Sequence, residues 1–206
     1  MDIIWYFACW LQFPLVLWRC NRHLSWTMAQ PQNLNPDAPD IKSMIRVNQA
    51  GEYGAKRIYA GQLAVMGDRT PAARSISHMA EQEARHLRAF DTLIAKRGVR
   101  PTLLQPFWDA AGFALGAATA AIGPEAAMAC TVAIETEIDL HYSEQLEQIG
   151  DSDPELSALV SEFRAEELEH KATALAHGAE RALGYPLMSA AIRFGCRTAI
   201  ALSKRI

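Results

Sequence analysis

The chain has 206 residues, enough for one domain with a sizeable core and too few to require two. Half of the residues are apolar and 21% are charged, which is typical of a globular protein. The formal net charge of −3 gives no indication of a nucleic-acid partner, which would require lysine and arginine clustered on one face.

The first 40 residues differ in composition from the rest of the chain. Residues 3–18 are strongly apolar but contain Pro14, and they are short for a membrane-spanning helix, which needs about 20 apolar residues. Three interpretations stay open: a membrane anchor, an uncleaved targeting segment, or a wrongly chosen upstream start codon. We favour the wrong start, because Met28 opens a polar stretch that is typical of an N-terminus. Residues 28–40 are then expected to form a flexible arm.

From residue 41 onward apolar residues recur at helical spacing, without a convincing strand pattern. The predicted breaks contain glycine or proline and lie at Gly67, Gly98, Gly123-Pro124, Asp153-Pro154 and Gly184-Tyr185-Pro186. The sequence therefore predicts an all-α domain over residues 41–206. Its helices are expected at about 41–67, 71–97, 107–122, 124–149, 154–183 and 187–204.

Two Glu-x-x-His motifs lie on the predicted helices, one at Glu83 and His86 and the other at Glu167 and His170. Residues three apart stand one above the other on a helix face, so a carboxylate and an imidazole can converge on one metal ion. A single motif is weak evidence, because glutamate and histidine are common in helices. Two motifs indicate a metal site more strongly.

An internal repeat strengthens this interpretation. Glu52 precedes Glu83 by 31 residues and Glu135 precedes Glu167 by 32, so each half offers one glutamate followed by Glu-x-x-His. This is the known ligand pattern of ferritin-like di-iron and di-manganese carboxylate bundles. We therefore predict a ferritin-like four-helix bundle with additional apolar or amphipathic helices. Its expected metal ligands are Glu52, Glu83, His86, Glu135, Glu167 and His170.

The predicted ligands all lie on apolar stripes of their helices. Burying an unpaired charge costs several kcal/mol or forces protonation, so four converging carboxylates need compensation. Their four negative charges balance two divalent ions, and a site without thiolates favours iron or manganese over structural zinc. Four other carboxylates lie off these stripes and are expected on exposed faces: Glu81, Glu137, Glu166 and Glu169.

Several other residues near the predicted site have simpler explanations than metal binding. Tyr59 and Tyr142 lie two turns beyond Glu52 and Glu135, so we expect them to form hydrogen bonds around the site. His177 is expected to be hydrogen-bonded in the core. The cysteines have no C-x-x-C spacing and are expected to be reduced, with Cys130 as a small core residue.

The sequence MIRVNQAGEYGAKRIYAGQ at residues 44–62 resembles the first-helix signature of the demethoxyubiquinone hydroxylase family, which acts in ubiquinone biosynthesis. Further segments resemble the same family: RPT at 100–102, FALGA at 113–117, AMACTVAIE at 127–135 and EELEH at 166–170. The likeness extends from residue 44 to the C-terminus and does not cover residues 1–40.

The resemblance implies two irons per chain, bridged by Glu83 and Glu167. The other ligands would each bind one iron: Glu52, His86, Glu135 and His170. It also implies that dioxygen hydroxylates the quinone ring of demethoxyubiquinone, with two external electrons from a reduced nicotinamide, NADH. His141 and Tyr142 are then candidates for electron or proton transfer.

A polyprenyl substrate stays in the bilayer, because each buried methylene contributes about 0.8 kcal/mol. Residues 107–122 carry a single charge, at Asp109, and the last helix is apolar with basic residues at Arg193, Arg197, Lys204 and Arg205. We expect peripheral attachment to the cytoplasmic face of a bacterial cell membrane, or to the matrix face of the inner mitochondrial membrane. Other ubiquinone-biosynthesis proteins are further expected partners. For residues 107–122 a plain buried helix is the alternative, and Gly51 and Gly54 leave room for a ring or a neighbouring helix.

Other functions are compatible with the metal ligands alone. A di-manganese catalase and a rubrerythrin-like peroxidase share them, although a rubrerythrin would normally add a cysteine-ligated iron domain. Ferritin-like iron storage needs a soluble outer surface, which residues 107–122 argue against. A non-catalytic lipid-binding bundle would have no use for two Glu-x-x-His motifs.

Overall fold

A computed structural model describes the chain from Pro39 to Ile206. The interpretations of the N-terminal stretch as a start-codon error, an anchor or an arm concern residues outside this part. The described residues form α-helices and a short 3₁₀ turn but no strand, which confirms the all-α class. The helices are α1 (Ile41–Met66), α2 (Pro71–Arg97), α3 (Gln105–Ile122), α4 (Pro124–Ile149), α5 (Pro154–Ala176) and α6 (Tyr185–Ser203).

Four long helices form the bundle, and two further helices cover its outside. Helix α1 packs against α2 and α4 against α5, while contacts of α4 with α1 and α2 join the two pairs. Helix α3 lies along α1, and α6 packs on α4. The helix pairs match the two halves of the sequence repeat.

The helix ends follow from local capping. The carboxylate of Asp40 accepts a hydrogen bond from the backbone N–H of Ser43 (3.0 Å), and the hydroxyl of Thr70 accepts one from Ala73 (3.1 Å). Gly98 ends α2 in the left-handed conformation, with φ of 60°. Because these signals are local, the bounds of α1 and α2 agree with the sequence prediction.

The predicted end of α5 at about residue 183 is wrong. The helix ends at Ala176, Gly178 takes a φ of 83°, and a 3₁₀ turn follows at Ala179–Arg181. The sequence did not predict this break, because the residues on both sides of Gly178 favour a helix. The predicted break at Gly184 is present, with a φ of 68°, but Tyr185 and Pro186 already belong to the first turn of α6, where proline is tolerated.

Glycines allow α3 to approach α1 closely. A Cβ atom at Gly116 would lie 1.9 Å from the carbonyl oxygen of Ile58, and one at Gly61 would lie 2.2 Å from that of Phe113. By contrast, a Cβ atom at Gly51 or Gly54 would meet nothing within 4 Å. The close helix neighbour is therefore found at Gly61, and the space that the sequence predicted beside Gly51 and Gly54 is open.

Apolar side chains of the described residues pack into three clusters. One contains Tyr59 and Met128, another contains Phe90 and other large residues, and a third joins Ile192 of α6 to α1 and α4. Every apolar residue that shares a predicted stripe with a ligand is buried or half-buried. The stripes therefore face the interior, as predicted.

Candidate metal centre

Four helices direct six buried polar side chains into the interior of the bundle. Each of α1 and α4 contributes one glutamate, and each of α2 and α5 contributes a glutamate and a histidine three residues later. All six are at most 2% exposed: Glu52, Glu83, His86, Glu135, Glu167 and His170. The structure thus brings together every residue that the sequence predicted as a ligand.

The six side chains form two overlapping groups, in each of which the candidate ligand atoms lie within 4.8 Å of one another. Glu83 and Glu167 belong to both groups. The first group adds Glu52 and His86, and the second adds Glu135 and His170. This arrangement could hold two neighbouring metal ions, with the two shared carboxylates between them.

Both histidines turn the same ring nitrogen toward the carboxylates. His86 Nδ1 lies 3.0 Å from Glu167 Oε1 and 3.3 Å from Glu52 Oε2. His170 Nδ1 lies 2.8 Å from Glu167 Oε2 and 3.3 Å from Glu83 Oε1. The Nε2 atoms point away and make other hydrogen bonds, so the Nδ1 atoms are the candidate metal ligands.

Eight buried nitrogen and oxygen atoms of these residues have no hydrogen-bond partner among the described residues. Each of the six side chains contributes at least one, and Glu83 and Glu167 contribute both carboxylate oxygens. An unpaired buried polar atom costs about 1–3 kcal/mol, and more when it is charged. Metal ions would satisfy all these atoms at once, so the residues present fit a two-metal centre.

Burial and mutual repulsion shift the ionisation of the cluster. Burial, followed by the charge of Glu167, raises the pKa of Glu83 and of Glu135 well above 4.5. Burial opposes ionisation of His86, but the adjacent carboxylates of Glu167 and Glu52 raise its pKa to about 10. Burial also opposes ionisation of Glu167, yet the adjacent imidazoles of His170 and His86 lower its pKa to about 2. Without metal, protons therefore take part of the compensating role.

The predicted tyrosine hydrogen bonds are present, and they cross between the helix pairs. The hydroxyl of Tyr59, on α1, donates to Glu135 Oε1 of α4 at 2.8 Å. The hydroxyl of Tyr142, on α4, donates to Glu52 Oε1 of α1. Each tyrosine therefore orients the glutamate that the opposite helix contributes.

An apolar cavity of about 420 Å³ lies between α1, α3, α4 and α6. Its lining includes residues beside two candidate ligands, because Gly51 precedes Glu52 and Ile134 precedes Glu135. Gly54, Leu115 and further small or aliphatic residues complete most of its wall. The cavity can take an apolar molecule or ring close to the helices that carry the polar cluster.

Comparisons with known proteins agree with this geometry. The family model described as "Ubiquinone biosynthesis protein COQ7" matches residues 39–203. The chain belongs to the COQ7 family. This confirms the predicted family, because the resemblance found in the sequence was to demethoxyubiquinone hydroxylases.

Several curated relatives of this COQ7-family chain are named as hydroxylases, which confirms the prediction of an oxidoreductase of the monooxygenase type. The "3-demethoxyubiquinol 3-hydroxylase" of Rhodospirillum rubrum is 51% identical over 81% of this chain and 78% of its own length. The mouse "NADPH-dependent 3-demethoxyubiquinone 3-hydroxylase, mitochondrial" is 50% identical over 84% of this chain and 80% of its own. The "5-demethoxyubiquinone hydroxylase, mitochondrial" of Saccharomyces cerevisiae is 42% identical, covering 85% and 82% of the two chains.

Glu137 and Glu166 were expected on exposed faces, and the structure corrects both assignments. Glu137 is buried and accepts hydrogen bonds from Arg193 (2.5 Å) and Arg197 (2.9 Å) of α6. Burial alone would raise its pKa, but these arginines lower it below 4.5. Glu166 is half-buried and lies beside His86. The other two glutamates, Glu81 and Glu169, are exposed as predicted.

His141 does not contact the cluster directly, although its neighbour Tyr142 does. Its Nε2 atom accepts a hydrogen bond from Gln145 (2.8 Å), whose amide also pairs with Asn48. Burial, and then the charge of Lys204, lowers the pKa of His141 to about 4. His141 is therefore a neutral histidine in a small polar pocket beside the bundle.

His177 and the two described cysteines lie outside the polar cluster. His177 forms a hydrogen bond with Ser75 Oγ (2.9 Å), as expected, but it is half-buried at the end of α5 rather than in the core. Cys130 is fully buried and Cys196 is half-buried, and both are free thiols. Burial is the main reason why the pKa of each thiol is raised, so neither is a reactive thiolate at neutral pH.

Proposed function

We propose that this COQ7-family chain is a di-iron monooxygenase that hydroxylates the quinone ring of demethoxyubiquinone during ubiquinone biosynthesis. The observation that carries the proposal is the buried set of four carboxylates and two imidazoles beside an apolar cavity. Family membership supports the substrate, since several relatives bear demethoxyubiquinone in their names.

Iron is the metal that suits this donor set and this reaction. Four carboxylates and two neutral imidazoles balance the charge of two divalent ions, and oxygen and nitrogen donors without thiolate suit iron. When bound, the iron pair supplies the electrons that reduce dioxygen. The proposed bridging ligands are Glu83 and Glu167, because only these two residues belong to both candidate groups.

The chain itself provides binding, orientation and exclusion of water. The cavity has an almost wholly apolar lining, which suits a substituted quinone ring and the first part of an isoprenoid tail. Gly51 and Gly54 leave room for the ring beside Glu52, since a Cβ atom at either position would meet nothing within 4 Å. Tyr59 and Tyr142 keep the two outer glutamates oriented through their hydroxyl groups.

Two electrons per turnover are proposed to come from a reduced nicotinamide. NADH is the donor expected from the sequence resemblance, whereas the mouse and human relatives carry NADPH in their names. Both donors are therefore supplied in parallel in any assay. His141 and Tyr142 remain candidates for electron or proton transfer, with the contact from Tyr142 to Glu52 as the direct link to the cluster.

We also propose peripheral attachment to the membrane that contains the quinone. No helix in the described range from residue 39 to residue 206 is long and apolar enough to cross a membrane. Large apolar side chains are nevertheless exposed on α3 and α6, with Phe107 60%, Leu187 78% and Phe194 72% exposed. Arg193 and Arg197 are paired with Glu137, so the basic contribution near this surface comes from Lys204 and Arg205, which directly follow α6.

The proposal is tested in a strain that lacks its own demethoxyubiquinone hydroxylase and accumulates the demethoxy precursor. Expression of the wild-type chain is expected to restore ubiquinone in the extracted quinones. Glu167→Ala is expected to leave the precursor unconverted, while the exposed matched control Glu169→Ala restores ubiquinone. Accumulation of the precursor despite normal levels of wild-type protein and of a reduced nicotinamide would contradict the proposed substrate.

A further inference from the structure

The histidine of each Glu-x-x-His motif also makes a hydrogen bond on its outer side, through the Nε2 atom that points away from the cluster. The partner of this outer hydrogen bond is a carboxylate for His86 and an amide for His170. The residue directly before each motif reaches across to the histidine of the other motif. Glu166, which precedes Glu167, places Oε2 3.0 Å from His86 Nε2. Gln82, which precedes Glu83, places Oε1 3.1 Å from His170 Nε2. The two equivalent positions of the repeat therefore make equivalent hydrogen bonds, but one carries a charged carboxylate and the other a neutral amide.

Both outer contacts fix the same histidine tautomer. A carboxylate oxygen and an amide oxygen can only accept, so Nε2 donates in each pair. In the neutral imidazoles that metal binding requires, the lone pair of each Nδ1 atom then faces the candidate metal position. An outer hydrogen-bond acceptor makes the ligating nitrogen more basic, and a carboxylate does so more strongly than an amide.

Glu166 is held as a charged acceptor. Arg85 pairs with Glu166 Oε2 and also lies 3.3 Å from Glu162. The amide of Gln82 donates to the same Glu166 oxygen at 3.3 Å, which joins the two outer contacts in one network. No such carboxylate serves His170 among the described residues, because its outer partner is neutral and Glu169 is exposed.

We propose that Glu166 makes the two metal positions unequal, so that the position of Glu52 and His86 binds Fe(II) more tightly than that of Glu135 and His170. Glu166 is a positioning residue that acts through His86 and touches neither substrate nor metal. This inference rests on the proposed di-iron centre and adds the order in which its two positions take up Fe(II). A carboxylate–imidazole pair also stabilises the more oxidised metal, so the His86 position is the more easily oxidised of the two.

The test is an anaerobic calorimetric titration of the metal-free full-length protein with Fe(II). Wild type is expected to show two binding steps of unequal affinity. Glu166→Gln gives both histidines an amide partner, so the tighter step is expected to weaken about tenfold and approach the other. Glu169→Gln, at an exposed position one residue before His170, is the matched control and is expected to keep both steps.

Two further variants identify which position belongs to which step. Glu52→Gln removes a ligand of the His86 position alone and is expected to abolish the tighter step, whereas Glu135→Gln abolishes the weaker one. The double swap Gln82→Glu with Glu166→Gln moves the carboxylate to His170 and is expected to separate the steps again. A Mössbauer spectrum of one equivalent of bound ⁵⁷Fe should change in Glu166→Gln but not in Glu169→Gln, which a purely structural role of Glu166 would not produce.

Several outcomes would overturn this inference. Unchanged steps in Glu166→Gln, an equal weakening of both, or loss of the weaker step in Glu52→Gln would each contradict the unequal positions while leaving the di-iron centre intact. Absence of Fe(II) binding by the wild-type protein would overturn the proposed function as well. The two failures are therefore distinguishable in one titration series.

Discussion

At the scale of single residues, the cost of burying the candidate ligands is the physical reason for proposing metal in this cluster. Four carboxylates share one interior with two imidazoles, and eight of their atoms lack partners among the described residues. Burial raises the pKa of Glu83, whereas the imidazoles of His170 and His86 lower that of Glu167 to about 2 despite its burial. Metal ions would bind all these groups at once, so metal affinity and stability should depend on the same residues.

The ligand assignment predicts unequal effects of neighbouring glutamate substitutions. Glu83→Gln and Glu167→Gln remove a residue shared by both candidate groups, so bound iron should fall from about two per chain to below one. Glu81→Gln and Glu169→Gln change exposed side chains and should retain about two irons. Iron is measured by elemental analysis after anaerobic loading. Equal losses in all four variants would show that the assignment is wrong.

The pKa shifts predict how the stability of the metal-free protein depends on pH. Folding raises the pKa of Glu83 and Glu135 above 4.5 and that of His86 from 6.5 to about 10, so the native state holds more protons than the unfolded state. Stability from these groups is present at low pH and is lost as pH rises through their folded pKa values. The pKa of Glu167 is lowered to about 2, so this group stabilises the fold fully at pH values above its unfolded pKa of 4.5. Its contribution is therefore constant from pH 6 to pH 9.

The Tm of the metal-free protein is therefore expected to fall between pH 6 and pH 9. Bound divalent ions replace the protons, so the metal-loaded protein should show a smaller fall over the same range. Circular dichroism melting curves of both forms provide the measurement. A metal-free Tm that stays constant or rises toward pH 9 would contradict the proton-compensated cluster.

Sequence spacing was sufficient to predict that the six candidate ligands converge, because i, i+3 spacing places a glutamate and a histidine on one helix face and the repeat supplies both helix pairs. The sequence did not predict the burial of Glu137 or the hydrogen bonds of Glu166 and Gln82 to the histidines, and the reasons differ. Glu137 is buried only because α6 packs over α4 and brings Arg193 and Arg197 to it, a contact between residues about 60 positions apart. Glu166 and Gln82 share a local signal, since each precedes a ligand glutamate, and that signal was available in the repeat.

At the scale of helices, glycines with opposite surroundings predict opposite effects on stability. Gly116→Ala would place a methyl group 1.9 Å from the Ile58 carbonyl oxygen, so it should destabilise the fold by about 1–3 kcal/mol. Gly51→Ala meets nothing within 4 Å and should stabilise α1 by up to about 1 kcal/mol. Urea unfolding of the metal-free variants measures both changes. Effects of the same sign and size would contradict the close approach of α3 to α1.

Helix bounds were predictable where the sequence carries a local stop. Gly98 adopts the left-handed conformation, and Thr70 with Pro71 starts α2, so both ends of that helix agree with the prediction. Gly178 carries the same kind of signal, but alanine, glutamate and arginine around it favour a continuous helix. The end of α5 depends on the positive φ of this one residue, which composition did not reveal.

At the scale of the whole molecule, exposed apolar residues on α3 and α6 predict how the protein meets a lipid surface. Phe194→Glu should weaken binding to anionic vesicles at least about tenfold, because one large apolar contact contributes about 1.5–3 kcal/mol. Leu168→Glu on α5, which is 41% exposed, is the matched control and should bind normally. Vesicle co-sedimentation measures both variants, and a chain that begins at Met28 should also bind. Equal binding by Phe194→Glu and wild type would contradict attachment through α6.

The source of the oxygen atom in the product tests the proposed hydroxylation most directly. Purified iron-loaded protein is supplied with demethoxyubiquinone, a reduced nicotinamide and ¹⁸O-labelled dioxygen, and the quinone is analysed by mass spectrometry. We expect one labelled hydroxyl oxygen on the ring per product, and none with Glu167→Ala. An unlabelled ring together with reductant-independent breakdown of peroxide would contradict the proposed hydroxylation and favour a catalase.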